Sequence, residues 1–124
     1  MTERTIFHKI RDKELPADIV YEDDLVLVFK DIRPQAALHL LLIPKKEGDV
    51  VASIADITKS TEHVPGMLID KARNFAKEKG IDGYRLTFHV GKGGGQEVMY
   101  LHLHMMSNDT PFSSEDKGVR GMRS

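Results

Sequence analysis

The stretch GGGQEVMYLHLHMM, residues 93–106, decides the predicted fold, because it joins a glycine-rich turn to an alternating segment. Successive side chains of a β-strand point to opposite faces of the sheet. One face would carry Val98, Tyr100, His102, His104 and Met106, and the other Met99, Leu101, Leu103 and Met105. The second face is wholly apolar and predicts a core position, whereas the first presents two imidazoles beside the glycines.

The histidine pair and the glycine turn indicate chemistry on a phosphate. Glycines let backbone N–H groups approach an anion closely, and the amides of residues 94–96 could stabilise phosphate charge. One imidazole can attack phosphorus while the other protonates a leaving group or holds a phosphate oxygen. A histidine nucleophile must be neutral, and its far nitrogen needs an acceptor that fixes the tautomer.

Two other interpretations of His102 and His104 remain open from the residues alone. Both side chains could lie on a solvated sheet face without a chemical role. They could also supply two of the three or four ligands of a zinc site. His89, His39 or Glu97 could complete such a site, although no spacing requires it. A Rossmann or P-loop site is not indicated, because neither glycine motif is present and no helix follows the glycines.

The composition limits the class of protein. At 124 residues the chain suits one domain, which would bury roughly 65% of the surface that its unfolded chain exposes. The net charge of −1 gives no global field for nucleic acid or a membrane, so neither partner is expected. The absence of cysteine excludes a disulfide and a thiolate zinc site. Without a signal-peptide pattern or an apolar run near ~20 residues, the expected location is the cytoplasm.

The remaining pattern predicts an α+β domain with an antiparallel sheet of about five strands, one long helix and one short helix. The predicted elements are a short helix capped by Thr5 and ended by Leu15-Pro16, strands at 19–21, 25–31 and 39–44, a helix at 61–79 capped by Thr61 or Glu62, and strands at 85–90 and 98–106. Residues 1–106 would form this domain, and residues 107–124 a loosely ordered tail or a segment docked on a partner.

Several segments together resemble the histidine triad family, in particular its purine nucleoside phosphoramidase branch. They are TIFHKI (5–10), LPADIVYEDD (15–24), VFKDIRPQAALHLLLIPKK (28–46), DGYR (82–85), and GGQEV (94–98) followed by LHLH (101–104). The resemblance implies a homodimer whose two sheets join across the interface. It also implies hydrolysis of adenosine or guanosine 5′-phosphoramidates with no required cofactor, and some members act on acyl-adenylates.

The resemblance implies roles for individual residues. His102 would attack the α-phosphate to give a nucleotidyl-histidine, which water then cleaves. His104 would contact the phosphate, His39 would support the site from a neighbouring strand, and Asp31 would accept hydrogen bonds from the ribose hydroxyls. The other implied contacts are a purine slot of Ile6, Phe7, Ile10, Phe29 and Ile32, and phosphate contacts from Gly95, Gln96 and Glu97.

The chain departs from the family pattern in ways that bear on catalysis. Tyr100 stands at the first triad position, where the family has histidine, and Met99 precedes it in place of tyrosine. His89 replaces a phosphate-contacting asparagine, and residues 106–109 replace a glycine-rich stretch that ends in arginine. Tyrosine can donate a hydrogen bond but cannot become an imidazolium, and strand register decides whether His89 supplies a third imidazole. We expect a working hydrolase, with a catalytically impaired nucleotide-binding module as the alternative.

Overall fold

In the computed structural model, which describes residues 4–109, five strands form one antiparallel sheet in the order β1-β2-β3-β5-β4. The strands are β1 (Ile19–Glu22), β2 (Val26–Lys30), β3 (Leu38–Pro44), β4 (Arg85–Thr87) and β5 (Leu103–Ser107). The helices are α1 (Ile6–Arg11) and α2 (Val64–Lys79), with single 3₁₀ turns at Glu47–Asp49, Ile54–Asp56 and Lys92–Gly94. The predicted α+β class with a five-stranded antiparallel sheet is confirmed.

Strand β3 lies at the centre of the sheet and is buried along its whole length, as its apolar sequence predicts. Leu40 and Leu42 belong to a core cluster that includes the buried residues of α2. Leu41 and Ile43 belong to a second cluster, which includes residues of α1. The sheet therefore carries α2 on one face and α1 on the other.

The long helix α2 ends where predicted but begins later. Gly80 ends it in the left-handed conformation, with φ 71°, which glycine adopts without strain. The predicted capping by Thr61 or Glu62 is wrong, because the helix begins at Val64 and His63 precedes it without a side-chain cap. The Thr61 hydroxyl instead accepts a hydrogen bond of 2.8 Å from the Thr58 amide, which holds the preceding turn.

The short helix α1 is capped by Thr5 as predicted but ends at Arg11, well before Pro16. Lys13 adopts φ 65°, in the left-handed region that lies outside a right-handed helix. The amides of Glu14 and Leu15 fold back onto the Lys9 carbonyl at 2.7 and 3.3 Å. A left-handed turn, and not the Leu15-Pro16 step, therefore ends this helix.

The alternation predicted for residues 98–106 holds beyond the limits of the hydrogen-bonded strand. Residues 98–102 precede β5, and the Leu101 amide bonds to the Val51 carbonyl at 2.7 Å instead of to a sheet neighbour. Leu101, Leu103 and Met105 nevertheless pack in the α2 cluster. Met99 is the exception, since it is 37% exposed and the predicted core position is wrong.

The domain continues past the predicted boundary at residue 106. Ser107 belongs to β5, and the side chain of Asn108 accepts a hydrogen bond from the Ala37 amide at 2.9 Å. The carboxylate of Asp109 accepts hydrogen bonds from the amides of Asp82 and Gly83, both at 2.7 Å. These three residues are therefore part of the folded domain, while the rest of the predicted tail lies outside the described residues.

Across residues 4–109 the search for a membrane-crossing helix finds no segment that combines the necessary length and apolarity.

Candidate active site

One pocket lies between α1, the end of β2 and the glycine-rich loop, and it brings most of the predicted site together. The predicted residues that line it are Ile6, Phe7, Ile10, Phe29, Asp31, Ile32, His89, Gly95, Glu97, His102 and His104. His39, Gln96 and Tyr100 were also predicted as site residues, and they lie behind this lining. Residues from opposite ends of the chain thus form one concave surface.

The apolar end of the pocket is formed by the aromatic rings of α1 and β2. The ring of Phe7 packs edge-on against Phe29, with centroids 5.5 Å apart, and against the His102 imidazole, with centroids 4.9 Å apart. Ile6 and Ile32 line the same pocket but are 50% and 87% exposed. Large aliphatic side chains left in water at a pocket are typical of a surface that a flat apolar ligand covers.

The backbone fixes the tautomer of His102. Its Nδ1 atom lies 2.7 Å from the carbonyl oxygen of Tyr100. A carbonyl oxygen can only accept, so Nδ1 carries the hydrogen and Nε2 of the neutral ring carries a lone pair. Burial lowers the pKa of His102, which favours this neutral form. His102 is therefore arranged as a nucleophile through Nε2.

A second chain of hydrogen bonds fixes the tautomers of His39 and His104. The Gln35 amide donates to Nδ1 of His39 at 3.1 Å, so Nε2 carries the hydrogen in the neutral His39 ring. That Nε2 lies 2.9 Å from Nδ1 of His104 and donates to it. In the neutral His104 ring, the hydrogen must then sit on Nε2.

The Nε2 atom of His104 is buried and has no hydrogen-bond partner within residues 4–109. A buried donor without a partner costs about 1–3 kcal/mol, which native structures rarely tolerate without a reason. Burial, with the nearby His102, His89 and His39, lowers the pKa of His104 to about 4. The ring is therefore neutral near pH 7 and presents one unsatisfied N–H group, which an anionic oxygen would satisfy.

His89 joins this histidine cluster from the segment that follows β4. The predicted strand 85–90 is too long, because β4 ends at Thr87. The His89 ring lies with its centroid 4.4 Å from that of His104 and lines the pocket. It also lies against Gly95, which adopts φ 89° in the left-handed region. The register therefore turns His89 toward the site.

The side chain of Gln96 holds the glycine-rich loop and makes no contact with the pocket. Its Nε2 donates to the carbonyls of Ala52 and Val98 at 2.6 and 3.0 Å, and its Oε1 accepts from the Gly91 amide at 2.8 Å. Its polar atoms are thus occupied, and it is 3% exposed. The side-chain amide is therefore used by the loop, and the phosphate contact that the resemblance implies for Gln96 stays a prediction.

Tyr100 is fully buried beneath the pocket, and its hydroxyl donates to the Pro44 carbonyl. The rings of His8 and Phe7 pack against it with centroids 4.6 and 6.2 Å away. Burial raises the pKa of this phenol, so it remains protonated. Tyr100 therefore contributes to the site through its backbone carbonyl, which orients His102, while its side chain is structural.

Comparison with known proteins identifies the family. Residues 4–119 match the family model described as scavenger mRNA decapping enzyme C-term binding. A HIT family hydrolase from Legionella pneumophila Philadelphia 1 has a TM-score of 0.78 at 40% identity, over 90% of this chain and 98% of that one. The chain belongs to the histidine triad family. Both the resemblance and the fold class predicted from the sequence are confirmed.

Two relatives show how far the similarity extends in this histidine triad protein. The purine nucleoside phosphoramidase of Escherichia coli is 44% identical over 108 residues, which are 86% of this chain and 88% of that relative. Protein HitA of Neisseria gonorrhoeae is 49% identical over 104 residues, covering 82% of this chain and 92% of the relative. The similarity therefore extends over more than four fifths of this chain and of each relative.

Three residues of this histidine triad protein could hold a metal ion. The ligand atoms of Asp31, His39 and His104 all lie within 4.8 Å of one another, and nitrogen and oxygen ligands of this kind suit zinc. The sequence offers His89, His39 or Glu97 as further ligands beside the histidine pair, and of these three only His39 belongs to this group within residues 4–109. A hydrogen bond joins Nε2 of His39 to Nδ1 of His104, so a metal bound through both of these nitrogens would have to replace the proton between them.

Several pocket residues were missed from the sequence: Pro16, Ala17, Lys30, Arg33, Gln35, Leu41 and Val98. Lys30 and Arg33 flank Asp31 and Ile32, so their closeness in sequence was a usable signal. Gln35 acts through its backbone amide on His39, and a backbone contact leaves no mark on residue type. The apolar members could not be distinguished from ordinary core residues by pattern.

Proposed function

We propose that this histidine triad protein is a purine nucleotide-binding hydrolase that cleaves nucleoside 5′-phosphoramidates or related nucleoside monophosphate conjugates. One observation carries the proposal: the lone pair of His102 and the unsatisfied N–H of His104 line the same pocket. A nucleophile beside a free donor is the arrangement that attack on a phosphorus atom requires. The similarity to a purine nucleoside phosphoramidase supports the choice of substrate.

In the first step, Nε2 of His102 forms a bond to the α-phosphorus while the bond from phosphorus to the leaving group breaks. The imidazole gains positive charge as this bond forms, and the Tyr100 carbonyl, 2.7 Å from Nδ1, stabilises that charge. The Nε2–H of His104 donates to a phosphate oxygen. The products are a nucleotidyl-histidine and the free leaving group.

In the second step, water attacks the same phosphorus and the bond to His102 breaks, which releases the nucleoside monophosphate. His39 keeps its hydrogen bond to His104 throughout, so the donor on His104 remains directed outward. Because imidazole is a good leaving group when its far nitrogen is protonated, the contact with Tyr100 also assists this step.

The nucleoside would occupy the apolar end of the pocket, with its purine against Phe7 and Phe29. The Asp31 carboxylate suits the ribose diol because it can accept two hydrogen bonds. Its Oδ1 accepts from the Arg33 amide at 2.9 Å, and its Oδ2 lies 3.4 Å from Nε2 of His39. The carboxylate is therefore held between the sugar end and the histidine cluster.

The alternative of a binding module that has lost catalysis rested on Tyr100 and His89. Tyr100 does not line the pocket, so its replacement of histidine alters no group that faces a ligand. His89 adds an imidazole to the pocket instead of removing a polar group. Both placements support an enzyme over an impaired module.

The test is turnover of a fluorogenic adenosine 5′-phosphoramidate by the wild type and by His102→Ala. We expect the variant to lose at least about 10³-fold in kcat/KM while it still binds adenosine monophosphate, measured by calorimetry. His63→Asn is the control, since His63 is exposed and pairs with Asp49 outside the pocket. Equal turnover by His102→Ala would contradict the mechanism. Nucleotide binding without any turnover by the wild type would select the binding module.

We further propose that the reaction requires no metal, because a hydrogen bond already joins two of the three candidate ligand residues, His39 and His104. Dialysis against a chelator is expected to leave turnover unchanged, and a loss of turnover that zinc restores would contradict this.

From the family resemblance we also propose a homodimer acting in the cytoplasm, without nucleic acid or membrane partners. Light scattering of the purified protein tests the dimer.

A further inference from the structure

Cleavage of a phosphoramidate needs a proton at the leaving nitrogen. An alkylamide anion is a very poor leaving group, so a positioned acid must protonate the nitrogen as the bond to phosphorus breaks. The proposed function assigns the nucleophile and the phosphate donor but not this acid. The inference that follows rests on the proposed function and concerns the source of that proton.

Three of the four clustered imidazoles are committed to other roles. His102 must be unprotonated at Nε2 to attack phosphorus, and His39 donates to His104 from behind the pocket lining. His104 has a pKa of about 4, so it is a neutral donor near pH 7 and gives up no proton readily. The carboxylates that line the pocket, Asp31 and Glu97, accept hydrogen bonds when ionised and do not donate them.

His89 is the imidazole that no step has used. Its ring centroid lies 4.4 Å from that of His104, and the His104 centroid lies 4.9 Å from that of His102. A phosphorus atom attacked by His102 and held by His104 therefore lies in the same small pocket as the His89 ring. His89 is also only half-buried, so its ring can exchange protons with solvent between turnovers.

The other imidazoles of the cluster are suited to act as neutral groups beside His89. Burial is the main cause that lowers the pKa of His39, His102 and His104. The groups facing the His89 ring are His104 from β5 and the backbone of Gly95. Asp31, Glu97 and His102 line the same pocket.

We propose that His89 is the catalytic acid and base of this site. Its imidazolium donates a proton to the leaving nitrogen as the bond between phosphorus and nitrogen breaks, which gives a neutral amine and neutral His89. Neutral His89 then takes a proton from the water that attacks the nucleotidyl-His102. The second step releases the nucleoside monophosphate and restores protonated His89, so the protons balance over one turnover.

The substitution that tests this role is His89→Asn, which keeps a hydrogen-bond donor but cannot transfer a proton. Two substrates separate the steps: an adenosine 5′-phosphoramidate of an alkylamine, and the p-nitrophenyl ester of adenosine monophosphate. Nitrophenolate leaves as an anion and needs no acid, whereas the alkylamine does. We expect a loss of about 10²-fold in kcat/KM for the alkylamine substrate, and an unchanged first turnover of the ester.

The ester also reports the second step. If His89 removes a proton from the attacking water, the variant releases a rapid burst of nitrophenolate and then turns over slowly. Stopped-flow absorbance measures both phases. His63→Asn makes the same chemical change at an exposed site outside the pocket and is expected to match the wild type on both substrates. Thermal melting and affinity for adenosine monophosphate check that His89→Asn is folded.

Each remaining outcome contradicts the role assigned to His89. An equal loss on both substrates in the first turnover would show that His89 holds the phosphate or the loop and transfers no proton. Full activity of His89→Asn on the alkylamine substrate would show that another acid acts. Turnover by the wild type distinguishes these results from failure of the proposed function, because a wild type inactive on both substrates would refute the hydrolase itself.

Discussion

The hydrogen bond from His39 to His104 allows a quantitative test of how the tautomer of His104 is fixed. Replacing His39 with leucine keeps a similar volume but removes the donor to His104 Nδ1, now 2.9 Å away. The two neutral tautomers of His104 then lose the bias that keeps the hydrogen on Nε2. The neutral tautomer with Nε2 unprotonated cannot donate to a phosphate oxygen.

The expected loss of kcat/KM follows from the free energy that the His39–His104 hydrogen bond contributes. A buried hydrogen bond contributes about 0.5–1.5 kcal/mol net, and about 1.4 kcal/mol corresponds to a tenfold change in rate. We therefore expect His39→Leu to lose about tenfold in kcat/KM on an adenosine phosphoramidate. His39→Gln is the matched control, because the amide nitrogen of glutamine can reach close to the site of Nε2 and donate to His104.

The assay compares kcat/KM for the wild type, His39→Leu and His39→Gln, with the tautomer of His104 read from nitrogen chemical shifts. We expect His39→Gln to keep activity within a few-fold and to keep the Nε2–H tautomer. Leucine and glutamine variants that are equally impaired would refute the tautomer reasoning, and so would full activity of His39→Leu. Thermal melting identifies any loss that comes from unfolding, since His39 is buried.

Three further predictions follow from the buried groups around the site. The folded-state pKa of His104, about 4, is below the unfolded value of about 6.5, so its contribution to stability is complete above pH 6.5 and is lost as the pH falls toward 4. Urea titrations should find that the free energy of unfolding falls by a few kcal/mol over that window, and the fall should be smaller in His104→Gln, where only the lowered pKa values of other buried histidines such as His102 still contribute. Tyr100→Phe removes the hydroxyl bonded to Pro44 and should lower the free energy of unfolding by about 1–3 kcal/mol, while kcat changes only a few-fold. A loss of turnover like that of His102→Ala would contradict the structural role of the Tyr100 side chain. Gln96→Ala breaks the hydrogen bonds that hold the glycine-rich loop. We expect kinetics to show a higher KM and calorimetry a lower melting temperature. Unchanged values would show that the loop does not need these hydrogen bonds.

The elements predicted well from sequence are those in which burial on one face makes apolar residues recur at a fixed spacing along the chain. The alternation of Leu101, Leu103 and Met105 follows directly from packing against one side of the sheet, and it holds. The continuous apolar run of β3 also predicts its central position in the sheet. Burial pattern does not fix where hydrogen bonding stops, so β4 and β5 are shorter than predicted.

The sequence indicates which residues lie at the site better than it indicates the contacts among them. The resemblance brought together residues as far apart as Ile6 and His104, and the pocket contains both. It could not show that the Gln96 amide is used by the loop, because that depends on three backbone groups, and one of them, the Ala52 carbonyl, lies 44 residues away. Tyr100 is the departure from the family pattern that bears most on catalysis, but its side chain lies beneath the pocket, bonded to Pro44.

The tautomers of His39 and His102 depend on main-chain groups, and that of His104 depends on His39. The Gln35 amide and the Tyr100 carbonyl decide which nitrogen of each ring is protonated. Any residue at position 100, and any residue except proline at position 35, would supply the same backbone group, so residue type does not indicate these contacts. The geometry of the fold is therefore needed to separate the nucleophile from the donor.

The central claim is that Nε2 of His102 becomes covalently bonded to the nucleotide. Its most direct test mixes the wild type with the p-nitrophenyl ester of adenosine monophosphate, stops the reaction within milliseconds, and locates the added mass by peptide mass spectrometry. We predict an adenosine monophosphate adduct on His102 that forms and decays at rates matching turnover. Turnover without any such adduct, or an adduct on His104 or His89 instead, would contradict this account.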